Sequence, residues 1–215
     1  MQIEALRPLT TTLRILYPIW AMVGMFSLIY VPSQVFVQGD ITETAARIQS
    51  MEGLFRLGIL GSLVTQLIFI LTAWYLFRFF RETHQQAAQL MLILALVSVP
   101  MAMLNELFSL SMLQSTDNLS QLQLLRDLHR SGLQIVMLFW GLWLFPLGYL
   151  IMRSGYFPRI IGWFAIAGGV GYVLGFFLDV LGLQIEWLST IAETLTLGEV
   201  LWLLWLIIAG ARLPD

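Results

Sequence analysis

The sequence predicts an all-α integral membrane protein, a polytopic bundle of about six transmembrane helices with the N-terminus and C-terminus in the cytoplasm. Hydrophobic residues make up 59% of its 215 residues and charged residues 11%, whereas soluble domains average roughly 45–50% and 25%. Six apolar stretches have the length that crosses a bilayer core, which is about 20 residues. The alternating pattern of a membrane barrel is absent, so helices are the structure that satisfies these backbones in lipid.

The six spans follow one another with short connections, and we predict them at 15–31, 57–77, 88–112, 131–152, 160–183 and 195–211. Pro32 is expected to close the first span, because proline interrupts helical hydrogen bonding. Arg56 and Arg78 bracket the second span, which is otherwise uncharged. The spans leave no room for a separate soluble domain, so residues 1–215 are predicted to form a single transmembrane domain.

The first longer connection covers residues 38–53. Asp40 or Thr42 is a suitable helix cap there, because their side-chain oxygens accept hydrogen bonds from the first free N–H groups of a helix. Ala45 and Ile48 then fall on one face of that helix. We therefore expect a short amphipathic helix between spans one and two.

The second longer connection covers residues 114–130, and its leucines recur at helical spacing: Leu119, Leu122, Leu125 and Leu128. This periodicity is typical of an amphipathic helix. Two placements remain open. The helix either lies at the membrane interface or extends span four outward.

The distribution of arginines predicts the orientation, because positively charged residues concentrate on the cytoplasmic side. With the N-terminus inside, seven arginines face the cytoplasm (Arg7, Arg14, Arg78, Arg81, Arg153, Arg159 and Arg212) and four face outward (Arg47, Arg56, Arg126 and Arg130). No small-x-small cleavage pattern follows the first apolar stretch, so we expect it to be retained as a span.

Several function classes are excluded by composition. The chain has no cysteine and no lysine, which excludes disulfides, thiolate nucleophiles and Schiff-base cofactors. The chain has only two histidines, His84 and His129, which excludes a three-histidine zinc site. They are predicted on opposite faces of the membrane. No HExxH motif occurs, so we expect no metal and no cofactor. The basic residues are too scattered to form a nucleic-acid surface.

Small residues mark the expected helix contacts. Gly171 and Gly175 form a small-xxx-small pair in span five, and such pairs let helices approach closely in lipid. Gly141 and Gly148 in span four lie one heptad apart and are suited to be the facing surface. Packing within one chain is the first interpretation, and a homodimer through the Gly171/Gly175 face is the alternative.

The candidate binding residues are the polar groups predicted in the outer part of the membrane: Glu52, Arg56, Glu106, Asp127, His129, Arg130, Asp179 and Glu199. Acids inside apolar spans are costly unless they have a partner or a task. Their placement predicts an outward-opening polar pocket. The competing interpretation is that these groups pair with one another and lock the helices together, and no catalytic residue is assigned.

Five stretches together resemble a known family: GDITETAARI (39–48), EGLFRLGI (52–59), DLHRSG (127–132), GLWLFPLGYLIMRSGYFPRIIGWFAIAGGVGY (141–172) and GEVLWLLWL (198–206). The family is a bacterial multi-pass membrane family of the domain-of-unknown-function 4386 type. The resemblance implies a six-to-seven-span protein of the bacterial cytoplasmic (inner) membrane. It carries over no activity and no site residue. Because the stretches contain them, we hypothesise that Glu52, Arg56, Asp127, His129 and Glu199 belong together.

Three functions follow from these observations. The first is binding of a lipid-like or small amphiphilic ligand, with Arg56 and Arg130 holding an anionic head. The second is an intramembrane enzyme in which Glu106, Glu199 and His129 perform acid–base or metal-assisted hydrolysis. The third is a structural or regulatory membrane subunit whose ion pairs lock helices.

Overall fold

The computed structural model describes residues 6–212. Its helices are α1 (Leu6–Met25), α2 (Val31–Val35), α3 (Ile41–Ser50), α4 (Glu52–Phe80), α5 (Gln85–Met112), α6 (Leu119–Ser154), α7 (Arg159–Val180) and α8 (Glu186–Ile208). Within the described residues, six helical stretches are long and apolar enough to cross a membrane. The predicted fold class and number of spans are therefore confirmed, while the orientation of the termini remains a prediction.

The first span is a composite that runs past its proline. A π-helical turn, Phe26–Tyr30, joins α1 to α2. Pro32 lacks an N–H, and its ring crowds the carbonyl four residues earlier in a regular α-helix. The π turn inserts one residue and rearranges that ladder, so the helix continues to Val35. The expectation that Pro32 closes this span is wrong for that reason.

Four of the remaining helices are longer than the apolar stretches from which we predicted them: α4, α5, α6 and α8. α8 begins at Glu186, nine residues before the predicted span, because backbone hydrogen bonds continue into the polar flank. α7 ends earlier than predicted, at Val180. Gly182 has a φ of 65° there, and its N–H bonds the Asp179 carbonyl at 3.1 Å, which closes the helix with a left-handed residue.

Both longer connections are helical. Asp40 caps α3, and its side chain accepts a hydrogen bond from the Glu43 N–H at 2.8 Å. Ala45 and Ile48 are buried on one face of α3, so the short amphipathic helix is confirmed. The leucine-rich segment extends span four beyond its apolar stretch, because α6 is continuous from Leu119.

The chain forms two compact units. Unit 1 contains residues up to 18, 70–98 and from 135 onward, and unit 2 contains residues 19–69 and 99–134. In unit 2, a hydrophobic cluster joins α2, α3, α4, α5 and the start of α6: Val31, Val35, Ala45, Ile48, Phe55, Ile59, Met112 and Leu122. This cluster holds together one end of the helices that carry the candidate site.

Glycines set the contact between α6 and α7 in unit 1. A Cβ added at Gly148 would lie 2.6 Å from the Gly162 carbonyl oxygen, and one at Gly169 would lie 2.8 Å from the Gly141 oxygen. The two backbones are therefore nearly in contact, as the heptad spacing of Gly141 and Gly148 predicts. Such proximity is a common device of helix packing in membranes.

The two glycines of the proposed dimer face, Gly171 and Gly175, have different surroundings. A Cβ at Gly171 would lie 2.5 Å from the Ala192 carbonyl oxygen of α8, so Gly171 packs within its own chain. Gly175 would meet no described atom within 4 Å. A homodimer through the Gly171/Gly175 face remains a prediction, with Gly175 as its free position.

Candidate functional site

Glu106 is the buried centre of the polar residues in unit 2. Its side chain is only 9% exposed. The Ser62 hydroxyl of α4 donates a hydrogen bond to Glu106 Oε1 at 2.6 Å. His129 Nε2 of α6 lies 3.9 Å from the same oxygen, and its side chain is 18% exposed. Side chains from α4 and α6 thus approach one carboxyl group on α5.

Asn105 fixes the helix that carries the histidine. Its side-chain amide nitrogen donates to the His129 backbone carbonyl at 2.9 Å. A Cβ added at Gly132 would overlap the Asn105 amide oxygen. The absence of a side chain at Gly132 therefore lets Asn105 reach α6 and hold His129 beside Glu106.

The geometry suits a single protonatable group rather than a serine nucleophile. The 2.6 Å hydrogen bond commits the Ser62 hydroxyl proton to the Glu106 carboxyl group. In a catalytic triad the serine hydrogen-bonds to histidine, whereas here Ser62 donates to the acid. His129 is beyond hydrogen-bond distance of Glu106 but within reach of one intervening water or a small side-chain shift.

Glu52 and Arg56 lie apart from this centre on the exposed surface of α4. They pair with each other one helical turn apart, Arg56 Nε to Glu52 Oε1 at 2.7 Å, with side chains 58% and 53% exposed for Arg56 and Glu52. Asp127 is also exposed and accepts two bonds from Gln123 Nε2, at 2.9 and 3.0 Å. Arg130 is exposed on α6. These four residues are exposed, and the described contacts do not join them to Glu106, so their outward placement remains a prediction.

Glu199 belongs to unit 1, where it has its own partners. The Tyr172 hydroxyl of α7 donates to Glu199 Oε2 at 3.2 Å. One turn along α8, Trp202 Nε1 donates to the Tyr17 hydroxyl at 3.2 Å, and both rings are fully buried. Asp179 is exposed in the last turn of α7. Of the eight predicted residues, the described contacts bring together two pairs: Glu106 with His129, and Glu52 with Arg56.

Two buried polar residues of α4 escape sequence reasoning: Ser62, which bonds Glu106, and Gln66, one turn later. Serine and glutamine carry no charge, and the span that contains them reads as an uncharged apolar run. A signal is nevertheless present, because Ser62 and Gln66 lie one turn apart and are both buried. Polar residues at helical spacing inside an apolar span indicate a face that points to other helices.

No group of three or more histidine, aspartate or glutamate side chains converges for a metal within residues 6–212. A shallow apolar crevice in unit 1, with no room for a water molecule, is lined by residues that include Leu13, Phe79, Phe157 and Trp202. None of the eight candidate residues lines that crevice. The arrangement at Glu106 is therefore better suited to exchanging a proton than to enclosing a large ligand.

Comparisons with known proteins find a matching family and a distant relative. Residues 15–210, which include the whole Glu106 centre, match the family described as "Domain of unknown function (DUF4386)". The chain is also 34% identical over 85 residues to an "Uncharacterized protein" of the archaeon Archaeoglobus fulgidus. That match covers 40% of this chain and 50% of the relative. No solved structure matches the chain.

Proposed function

We propose that this chain, which belongs to the family described as Domain of unknown function (DUF4386), is an intramembrane enzyme that uses Glu106 for acid–base chemistry. The observation that carries the proposal is the convergence of Ser62, Glu106 and His129 from three helices. A carboxyl group in an apolar interior is costly, so it persists where it has a task or a strong partner.

The three side chains have separate roles in this proposal. Glu106 is the base, which accepts a proton from a substrate or from water. Ser62 orients the carboxylate and stabilises its ionised form through the 2.6 Å hydrogen bond. His129 is partly exposed and leads toward the predicted outer surface, so it is suited to pass the proton onward. Asn105 positions the backbone of His129.

The lipid-like or small amphiphilic molecule expected from the sequence fits this proposal as a substrate. Such a molecule reaches the centre through the outer leaflet, which is where the sequence predicts Glu106 to lie. Recognition of an anionic head by Arg56 has less support, because Arg56 already pairs with Glu52 on the helix surface.

A second candidate is a structural or regulatory membrane subunit. The observation that favours it is that the same contacts tie α4, α5 and α6 together, through Ser62–Glu106 and Asn105–His129. Such contacts are worth a modest amount in membranes, about 0.6 kcal/mol on average and at most about 1.7 in one measured case.

Infrared difference spectroscopy of the purified protein distinguishes the two candidates. An acid–base role predicts a carboxyl band that changes with pH, disappears in Glu106→Gln and shifts in His129→Asn. Glu52→Gln is the matched control, because that acid is exposed and lies on the surface of α4. A spectrum that is the same in the wild type and Glu106→Gln, together with lower stability of the variant, would favour the structural candidate.

Location and orientation are part of the proposal. We infer that the protein lies in the cytoplasmic membrane of a bacterium, with both termini inside; the support is the excess of arginine in the predicted inner loops. A fluorescent protein fused after Asp215 should fluoresce, and alkaline phosphatase fused there should be inactive. The opposite pair of results would reverse the orientation.

A further inference from the structure

The side-chain amide oxygen of Gln66 is a buried acceptor without a hydrogen-bond partner. Gln66 lies on α4 and is 2% exposed, and its amide oxygen has no partner among residues 6–212. Buried amides are nearly always hydrogen-bonded, and an exception indicates a water, an ion or a ligand. The unpaired amide oxygen therefore calls for an occupant that interacts with oxygen.

The direction of this side chain brings it to the Glu106 centre. Helical side chains lean toward the N-terminus of their helix, and α4 begins at Glu52. Gln66 therefore leans toward Ser62, which is one turn earlier on the same buried face and touches Glu106. The amide oxygen of Gln66 is therefore expected on the same side of α4 as the Ser62 hydroxyl and the Glu106 carboxyl group, which are in contact.

Charge and ligand type restrict the occupant. The centre has one carboxyl group, and His129 Nε2 lies 3.9 Å from it. A single positive charge would balance that carboxylate. Oxygen ligands suit hard cations, and divalent or transition metals prefer several acids or histidines, of which no group of three converges in the described chain.

We propose that Glu106, Ser62 and Gln66 form a binding site for a small monovalent cation. An alkali metal ion from solution and the primary ammonium group of a lipid head share the required chemistry. The site uses Glu106, as the acid–base proposal does, but it requires no proton transfer. Gln66 and cation-dependent stability therefore test it separately from the infrared experiment.

The test is thermal unfolding of the purified full-length protein after dialysis into N-methyl-D-glucamine chloride. Sodium, potassium or ethanolamine chloride then replaces this bulky cation at constant ionic strength. Binding to the folded state should raise the melting temperature with the logarithm of cation concentration. Glu106→Gln and Gln66→Leu should abolish the rise, and Glu52→Gln should retain it. A response to sodium or potassium assigns an alkali ion, and a response to ethanolamine alone assigns a lipid ammonium group.

Gln66→Leu also separates a binding role from a packing role. Replacing an unpaired buried polar group with an apolar one of similar size should leave basal stability equal or higher. The expected combination is unchanged or higher stability in N-methyl-D-glucamine and no response to small cations. A wild-type protein that melts at the same temperature in all four salts would overturn the proposal, and so would a full cation response in Gln66→Leu.

Discussion

Gly148→Ala tests whether the α6–α7 contact depends on direct approach of the two backbones. The added Cβ would lie 2.6 Å from the Gly162 carbonyl oxygen and 2.7 Å from Ile166 Cγ1, whereas ordinary contact begins at 3.4 Å. The helices must therefore separate by roughly 0.8 Å at this point. Overpacking of this kind costs about 1–3 kcal/mol, and alanine's better helix propensity returns up to about 1 kcal/mol. We expect a net loss of about 1–2 kcal/mol.

Gly175→Ala is the matched control on α7, because its added Cβ meets no described atom within 4 Å. Here only the helix propensity changes, so stability should rise by about 0.5–1 kcal/mol. The assay is reversible unfolding in mixed micelles, followed by far-ultraviolet circular dichroism. Equal stability of Gly148→Ala and the wild type, or equal losses in the two variants, would refute the argument from close approach.

Three further substitutions test single contacts by thermal unfolding. Asp40→Ala removes the cap of α3 and should cost about 0.5–2 kcal/mol, while Asp40→Asn should retain most of the stability; equal losses would contradict capping. Trp202→Phe removes the indole donor to the Tyr17 hydroxyl and should cost about 0.5–1.5 kcal/mol; with Tyr17→Phe the losses should not add. Arg56→Ala breaks an exposed ion pair and should change stability by less than about 1 kcal/mol at any salt concentration; a larger loss would show that Arg56 has a role beyond that pair.

The spans and the short-range features were predictable because local chemistry determines them. A backbone in lipid must satisfy its own hydrogen bonds, so an apolar run of sufficient length becomes a helix. The Asp40 cap depends on groups three residues apart, and the spacing of Gly141 and Gly148 follows from helix periodicity. The π turn before Pro32 was not predicted, because it depends on how the helix as a whole accommodates the ring.

The centre was only half predictable for a different physical reason. Glu106 is identifiable from its depth, since an acid surrounded by apolar residues in sequence must be buried or paired. Its partners depend on the rotation of α4 and α6 about their axes, which tertiary packing sets. A charged residue such as Arg56 in a membrane protein suggests a binding site from the sequence alone. A long side chain near a helix end, however, extends to the surface.

The unpaired polar groups of unit 2 bear on whether Glu106 has a function or only holds helices together. A network that serves only to hold helices gains most when every donor and acceptor is satisfied, because partly satisfied buried networks are destabilising. Here Gln66 has a buried amide oxygen without a partner, and His129 stays 3.9 Å from the carboxylate it faces. A hydrogen bond to Gln66, or one between His129 and Glu106, would strengthen a purely structural contact. Leaving both bonds unmade keeps the carboxylate available to a proton or a cation, which is the property that the two proposals share and that their experiments measure separately.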